Sequence, residues 1–232
     1  MPRIIYIHVP KCGGSSFGAA LRLRYLASHG TITLNQGQPL LRGEARILSD
    51  YAARRRQLHR HVAMGKRLIT GHVQYDPRLH AGSARAYRFV TLLRDPVDRF
   101  VSHYHYLQRK HPDPSRAGTL EGFLDTADAA RLASQYMFYF AGAWQGPGRD
   151  VAALTARAIH NLAAFDLVGD LAAPEDFRRA LRQLTFAPLP RLRRNVAPVP
   201  LSVPNRLRPR IEALCAPDIA IYESRFRRRT AA

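Results

Sequence analysis

A glycine-rich turn close to the N-terminus combines residue types that bind anions. Residues 4–17 read IIYIHVPKCGGSSF, an apolar strand-like run followed by a turn and the start of a helical pattern. Gly13 and Gly14 allow close backbone approach, and successive N–H groups at a helix N-terminus point at one spot. Lys11 adds a mobile cation, while Ser15 and Ser16 add hydroxyl donors. The turn therefore predicts a site for phosphate or sulfate.

The order of residues in this turn differs from that of the nucleoside triphosphatase loop. That loop places a lysine directly after its last glycine, whereas Lys11 precedes Gly13 and Gly14. The usual reason to expect a bound magnesium ion is therefore absent. The two cysteines, Cys12 and Cys215, are single and distant in the sequence, which argues against a zinc cluster. We expect no metal at this site.

A second segment, residues 89–102, also carries residues suited to a phosphate group. It reads FVTLLRDPVDRFVS and places Arg94 at the end of a strand-like run. A guanidinium offers a planar fork of donors that matches phosphate. Asp95 can cap a following helix with Pro96 in its first turn, and Ser102 lies about two helical turns further on. Alternatively, Arg94 and Asp95 form only a salt bridge at the helix cap.

A histidine that follows a strand-like run is the candidate for a general base. Of the ten histidines, His72 lies in residues 68–75, LITGHVQY, directly after the run. A neutral imidazole suits proton acceptance near pH 7, and active sites of open α/β sheets collect at the carboxyl ends of strands. His72 could instead order its own loop through a local hydrogen bond. His8, within the first strand, is the alternative base, although a histidine inside a strand is more often packed.

Strand-like and helix-like segments alternate along the chain. Apolar runs at residues 4–7, 68–70, 89–93 and 167–169 indicate strands. Helices are expected from residue 17 to a stop at Gly30, over 47–62, from a cap at Asp95 to about 107, within 120–141, and over 151–164, 175–184 and 210–226. This alternation predicts an α/β fold: one P-loop-like domain over residues 1–232, with a central, mainly parallel sheet flanked by helices on both faces.

Structural roles are expected for several basic and proline-rich stretches. The run Arg54-Arg55-Arg56 is expected on the solvent face of its helix, and Arg99 at the surface or in an ion pair between helices. Residues 188–209 are rich in proline and predict an ordered loop or flap. The last residues, 227–232, predict a frayed basic tail.

Composition narrows the class of protein. The chain has 232 residues, of which 46% are hydrophobic and 23% charged, as in a soluble globular domain. A strand-like run begins almost at Met1, which leaves no room for a signal peptide, and the two cysteines suit a reducing compartment. The longest uncharged stretch is too polar to span a membrane. We therefore expect a cytoplasmic protein with no stable membrane insertion.

The formal net charge of +19 favours anionic partners. Nucleic acid is the usual partner of a protein this basic. Here the basic residues are scattered, and no recognition-helix or RNA-binding signature is present. Anionic nucleotides or acidic acceptors are therefore expected rather than nucleic acid.

Taken together, the two phosphate-binding segments resemble the signature of the sulfotransferases that use 3′-phosphoadenosine-5′-phosphosulfate (PAPS). The resemblance is to the branch that contains carbohydrate enzymes of the heparan and chondroitin type. The residues implied to hold PAPS are Lys11, Cys12, Gly13, Gly14, Ser15 and Ser16 at its 5′ end, with Arg94 and Ser102 at its 3′-phosphate. A Gly-His-Val element after a strand is similar to the one that bears the base in the uronyl 2-O-sulfotransferase branch, which implies His72 as the base.

The resemblance implies transfer of a sulfuryl group from PAPS to a hydroxyl acceptor, with a carbohydrate expected. The reaction would be a single in-line displacement, in which His72 removes the acceptor proton and Lys11 stabilises the bridging oxygen. An acidic acceptor would suit Arg191, Arg193 and Arg194. Two other functions remain open: a P-loop-related kinase that needs magnesium and ATP, and a basic polyanion- or nucleotide-binding module without catalysis.

Overall fold

A parallel sheet forms the centre of the molecule in the computed structural model, which describes residues 1–33, 43–113, 118–186, 188–192 and 203–226. Its strand order is β2-β3-β1-β4-β5. The strands are β1 (Arg3–Ile7), β2 (His29–Ile32), β3 (Leu68–Gly71), β4 (Tyr87–Leu93) and β5 (Leu167–Asp170). The helices are α1 (Gly14–Arg24), α2 (Gly43–Ala63), α3 (Pro77–Ser83), α4 (Pro96–Lys110), α5 (Leu120–Phe123), α6 (Ala127–Ala133), α7 (Gln135–Ala141), α8 (Val151–Ala163), α9 (Pro174–Thr185) and α10 (Arg208–Phe226). The predicted α/β class is confirmed.

Helices cover both faces of the sheet because alternate strand residues are apolar on both sides. On one face, Ile4 and Tyr6 of β1 pack with α1 and α9. On the other, Ile5 and Ile7 pack with α2, α7 and α8. A third cluster joins α4, α5 and α6 to α10. The loop after β1 thus leads to α1 on one face of the sheet, while α2 and α8 cover the other face. Because the chain leaves neighbouring strands toward opposite faces, a crevice forms at the carboxyl end of β1.

Residues near Gly30 form a strand, and the expectation of a helix stop there is wrong. Helix α1 already ends at Arg24, where the N–H of Tyr25 donates to the carbonyl of Leu21. Gly30 lies inside β2, the edge strand that pairs with β3. A Cβ at Gly30 would stand 2.6 Å from the His61 ring of α2. The glycine therefore permits close packing of α2 on the strand, and a strand of four residues leaves little periodicity to detect.

Arg54, which was expected on the solvent face of its helix, is buried, whereas Arg99 forms the ion pair between helices that was one of its two expected roles. Arg54 is only 7% exposed, because its guanidinium lies over the Tyr51 ring and donates to the carbonyl oxygen of His72. Arg99 is fully buried, and its Nη2 lies 3.6 Å from Asp218 of α10. The ion pair between helices that was expected as one alternative for Arg99 is thus confirmed. Arg55 and Arg56 are exposed, as expected for the solvent face of α2.

The remaining helical expectations are confirmed within a few residues at each end. Asp95 caps α4 by accepting from the N–H of Asp98, with Pro96 at its first position. Residues 193–202 of the expected flap and the tail at 227–232 lie outside the described residues, as do Arg193 and Arg194. Arg191 is exposed and pairs with Glu175. None of the helices that the structure describes has the length and apolarity needed to cross a bilayer.

Asp218 connects α10 to the start of α7 through fully buried contacts. Its carboxylate accepts from the N–H groups of Tyr136 and Met137 at 2.8 and 3.0 Å, in the first turn of α7. It also faces the charge of Arg99. Burial raises the pKa of Asp218 to about 6, while Arg99 and the backbone donors act in the opposite direction. The carboxylate thus fixes the helix that carries Tyr136.

We expect Asp218→Ala to lower the free energy of unfolding by about 3–5 kcal/mol, since it leaves the Arg99 charge buried without its counterion. Asp125→Ala is the matched control, because Asp125 pairs with Arg210 at the exposed surface and should cost about 1 kcal/mol or less. Urea unfolding followed by circular dichroism measures both. Equal losses for the two variants would contradict the structural role of Asp218.

Candidate active site

The predicted anion-binding turn lies between β1 and α1, at the crevice of the sheet. Gly13 precedes α1 with a φ of +70°, in the left-handed region that favours glycine. A Cβ at Gly14 would stand 2.1 Å from the His8 ring, so only glycine fits there. The first turn of α1 has no side-chain cap and no acidic residue. Its backbone N–H groups and the positive end of the helix dipole therefore favour an anion.

Lys11 lies in this turn among other positive charges. Its φ is +66°, and its Nζ sits 4.3 Å from the centre of the Tyr106 ring of α4. Burial lowers the pKa of Lys11, and the nearby charges of Arg109 and Arg94 lower it further. Three cations from three segments thus act on one another. Such an arrangement is unfavourable by itself and becomes favourable when an anion binds.

The hydroxyl of Tyr136 joins the two segments that the sequence singled out. It accepts from the N–H of Arg94 at 2.9 Å and donates to the carbonyl oxygen of the same residue. It also lies 3.5 Å from the buried Sγ of Cys12 in the turn. Burial raises the pKa of the Cys12 thiol to about 11, so this residue acts as a neutral packing group. The contact holds the backbone of Arg94 beside the anion-binding turn.

One face of α4 lies toward the turn. Ser102, Tyr106 and Arg109 are spaced four and three residues apart, and therefore fall on one side of the helix. Ser102 is 8% exposed, and Tyr106 holds the Lys11 ammonium. The Arg94 side chain, partly buried, reaches Asp98 on the first turns of α4 at 3.7 Å. The ion pair that Arg94 makes is thus with Asp98, and Asp95 serves as the helix cap.

His72 follows β3 directly, and its ring stacks on that of His8 with centroids 4.3 Å apart. Its Nδ1 lies 2.6 Å from the carbonyl oxygen of His8. A carbonyl oxygen only accepts, so Nδ1 carries the proton and Nε2 carries the lone pair. His8 lies one residue beyond β1, and its ring covers Gly14. The structure therefore brings both candidate bases next to the turn.

The lowered pKa values of His8 and His72 favour the neutral form of both imidazoles near pH 7. Burial lowers the pKa of His72 to about 4; the carbonyl of His8 raises it and the charge of Arg54 lowers it, each less than burial does. Burial also holds the pKa of His8 well below its usual range, with further lowering by His72 and Arg22. A neutral ring with its lone pair at Nε2 is the form that can accept a proton.

Sequence reasoning missed Arg54, Tyr106 and Arg109. The sequence contained a signal for Tyr106 and Arg109, because their spacing from Ser102 places all three residues on one face of a helix. The contact of Arg54 with the His72 carbonyl had no such signal, since it depends on how α2 lies against β3. Among the described residues, no three histidine, cysteine or acidic side chains are grouped as metal ligands would be.

Comparison with known proteins identifies the family of this chain. A model of the sulfotransferase family matches residues 2–138, more than half of the 232 residues. The matched region spans the anion-binding turn, His72, Arg94 and Ser102. No curated protein matched the sequence.

Solved structures are similar in fold. A sulfotransferase from Alicyclobacillus acidocaldarius aligns over 97% of this chain and 95% of its own, with 19% identity and a TM-score of 0.55. Mouse sulfotransferase SULT7A1, solved in complex with PAP (3′,5′-bisphosphorylated adenosine), aligns over 100% of this chain and 67% of its own. The identity is 15% and the TM-score is 0.45, and a TM-score this low carries no comparison of the two sites. The family match and the α/β fold agree, and we conclude that the chain belongs to the sulfotransferase family.

Proposed function

We propose that the chain transfers a sulfuryl group from PAPS to a hydroxyl group of a carbohydrate acceptor. One observation carries the proposal: the Tyr136 hydroxyl contacts both Cys12 of the anion-binding turn and the backbone of Arg94. Two segments that are candidates for phosphate binding, Cys12 in one and Arg94 in the other, are thereby held side by side although they are distant in sequence. A nucleotide with a phosphate group at each end of its ribose matches this pair of sites.

In this proposal the turn binds the 5′-phosphosulfate. The amides of Gly13 and Gly14, together with Ser15 and Ser16, face its oxygens at the N-terminus of α1. Arg94 and Ser102 hold the 3′-phosphate. Lys11 turns from Tyr106 toward the oxygen that bridges sulfur and the 5′-phosphate, where negative charge develops as the bond breaks.

The acceptor hydroxyl is proposed to meet His72. Its oxygen attacks sulfur in line with the bridging oxygen, the bond between sulfur and that oxygen breaks, and PAP (3′,5′-bisphosphorylated adenosine) leaves. The acceptor proton passes to Nε2 of His72, while Nδ1–H stays on the carbonyl of His8. The negative charges of bound PAPS raise the pKa of His72 from its value in the free protein, which strengthens it as a base.

Support for a carbohydrate acceptor comes from the resemblance of the two motifs to the carbohydrate branch and from the net charge of +19. A cytoplasmic location remains a prediction. The two alternatives differ in measurable ways: a kinase would need magnesium and turn over ATP, and a binding module would hold polyanions with steep salt dependence and transfer nothing.

The direct test is calorimetry with PAP, followed by transfer of labelled sulfate from PAPS to a panel of sugars. We expect PAP to bind equally well with and without magnesium, and label to appear on an acceptor. Binding that requires magnesium, or PAP binding without any transfer, would favour the kinase or the binding module respectively.

His72→Ala should lower kcat by about 10² or more, because removal of a general base costs at least that much. The dissociation constant of PAP should change less than about twofold. His160→Ala on the exposed side of α8 is the control and should leave kcat unchanged. Near-normal turnover of His72→Ala, together with a large loss in His8→Ala, would assign the base to His8 instead.

The His72 ring of the free protein should titrate near pH 4, well below the usual value for histidine. Because the folded-state pKa is lowered, the stabilising effect of the neutral ring is complete above about pH 6.5 and is lost as the pH falls toward 4. Imidazole ¹⁵N shifts measured from pH 8 down to about pH 3, on both sides of the expected midpoint, report the midpoint and the protonated nitrogen. A midpoint above 6 would contradict the buried, Nδ1-protonated ring.

Tyr136→Phe should weaken PAP binding roughly tenfold, since the backbone of Arg94 loses a hydrogen-bond partner worth about 1 kcal/mol or more. Tyr139→Phe is the matched control on the same helix. Its hydroxyl bonds to Tyr51 at 2.5 Å instead, so this variant should lose similar stability but keep PAP affinity. Calorimetry and urea unfolding of both variants separate the two effects, and equal PAP affinities would contradict the coupling role of Tyr136.

A further inference from the structure

A cleft of about 280 Å³ opens between α1 and the ends of β1, β2 and β3, beside the proposed base. Helix α1 lines it with Gly14, Ser15, Gly18 and Arg22. From Gly14 to Arg22 these positions extend about 12 Å along the helix. The cleft therefore begins at the anion-binding turn and runs away from it under α1.

Gly18 creates the width of this cleft. A Cβ at Gly18 would stand 3.5 Å from Nη1 of Arg22 and 3.7 Å from the Tyr6 ring, which are ordinary van der Waals distances. Nothing in the backbone requires glycine there, because its φ is helical. A glycine inside a helix is destabilising by about 0.5–1 kcal/mol relative to alanine, so the space it leaves has a cost in stability.

Arg22 gives the far end of the cleft a positive charge. Its Nη1 donates to the Thr70 hydroxyl at 3.3 Å, and its charge lowers the pKa of His8. No aspartate or glutamate is present among the described residues that line the cleft. A partly buried guanidinium in such surroundings favours an anionic group.

The distance between this charge and the base suits a compact ligand. Thr70 and His72 lie two residues apart on the same side of the chain, so their Cα atoms are about 7 Å apart. A molecule whose anionic group binds Arg22 beside Thr70 can thus present a hydroxyl to His72 if the two groups are separated by about the width of one sugar ring. The cleft volume of about 280 Å³ lies just below the usual range for small-molecule sites, which starts at about 300 Å³, and this agrees with a single ring.

The hydroxyl of Tyr6 is an independent sign of a ligand. Tyr6 is 1% exposed, lines the cleft, and its hydroxyl has no hydrogen-bond partner. It lies 2.8 Å from where a Cβ of Gly14 would stand. Burial raises the pKa of this hydroxyl above its usual value, so it is a neutral donor. A buried polar group without a partner is costly, and a bound hydroxyl or anion would satisfy it.

We propose that this cleft is the acceptor subsite and that it takes a single hydroxylated ring bearing an anionic group. The anionic group binds Arg22, the ring lies over Gly18 and Tyr6, and the reactive hydroxyl meets His72. This inference rests on the proposed sulfuryl transfer for the role of His72. The anion is a carboxylate or a phosphate ester, both of which a guanidinium binds.

The probes are glucuronate, glucose 6-phosphate and glucose, titrated by NMR into the protein saturated with PAP and into the nucleotide-free protein. We expect one of the two anionic sugars to bind at least tenfold more tightly than glucose, and the preferred one assigns the anion. Arg22→Met should remove that preference and leave PAP affinity unchanged. Arg24→Met, exposed on the same helix, is the control and should keep it.

The outcomes separate this inference from the proposed function. No preference for either anionic sugar in the wild type, or a preference that survives Arg22→Met, would overturn it. Loss of PAP affinity in Arg22→Met would also overturn it, because the cleft would then belong to the nucleotide. Failure of PAP to bind the wild type would instead contradict the proposed function, and the nucleotide-free titration would still report on Arg22.

Tyr6→Phe and Gly18→Leu extend the test without charge changes. Tyr6→Phe removes a hydroxyl that has no partner, so the protein should be at least as stable in urea, yet bind the preferred sugar several-fold more weakly. Gly18→Leu should fill the cleft and abolish sugar binding while PAP still binds. Unchanged sugar affinity in both variants would show that the ligand binds elsewhere.

Discussion

The contact of the Tyr136 hydroxyl with Cys12 and Arg94 is the constraint on which the site depends. It lies where the loops after β1 and β4 meet, and those strands are neighbours in the sheet. The position of Tyr136 is fixed in turn by Asp218, whose carboxylate accepts hydrogen bonds from two backbone N–H groups in the first turn of α7. A chain of buried polar contacts therefore runs from the C-terminal helix to the anion-binding turn.

The site concentrates positive charge that the described residues neutralise only in part. Lys11 experiences the charges of Arg94 and Arg109, and Asp98 offsets only part of this at 3.7 Å from Arg94. Stability alone would disfavour such a cluster, whereas binding of a doubly phosphorylated ligand would make it favourable. The left-handed backbone at Lys11 and the close approach of His8 to Gly14 are further local costs at the same place.

The sequence was sufficient for the α/β class and for the order of most elements, because strand runs and helical periodicity alternate clearly. It was also sufficient to single out the turn around Gly13, the Arg94 segment and His72, since each follows a strand and carries a characteristic residue. It did not reveal β2, which is short and contains Gly30. It misplaced Arg54, and it left open whether Arg99 lies at the surface or in an ion pair, because the burial of both depends on partners far away in sequence, the His72 carbonyl and Asp218. The cleft proposed for the acceptor is likewise a product of tertiary packing, because Tyr6, Gly18 and Arg22 line a common surface only when α1 lies on β1 and β3.

In the proposed complex the turn and Arg94 hold opposite ends of one nucleotide. The dissociation constants of PAP and of adenosine 5′-phosphate, which lacks the 3′-phosphate, measure this for the wild type and Arg94→Met. We expect the wild type to prefer PAP at least tenfold, and Arg94→Met to lose this preference while its affinity for adenosine 5′-phosphate stays the same. A wild type that binds both nucleotides equally, or an Arg94→Met variant that still prefers PAP, would contradict it.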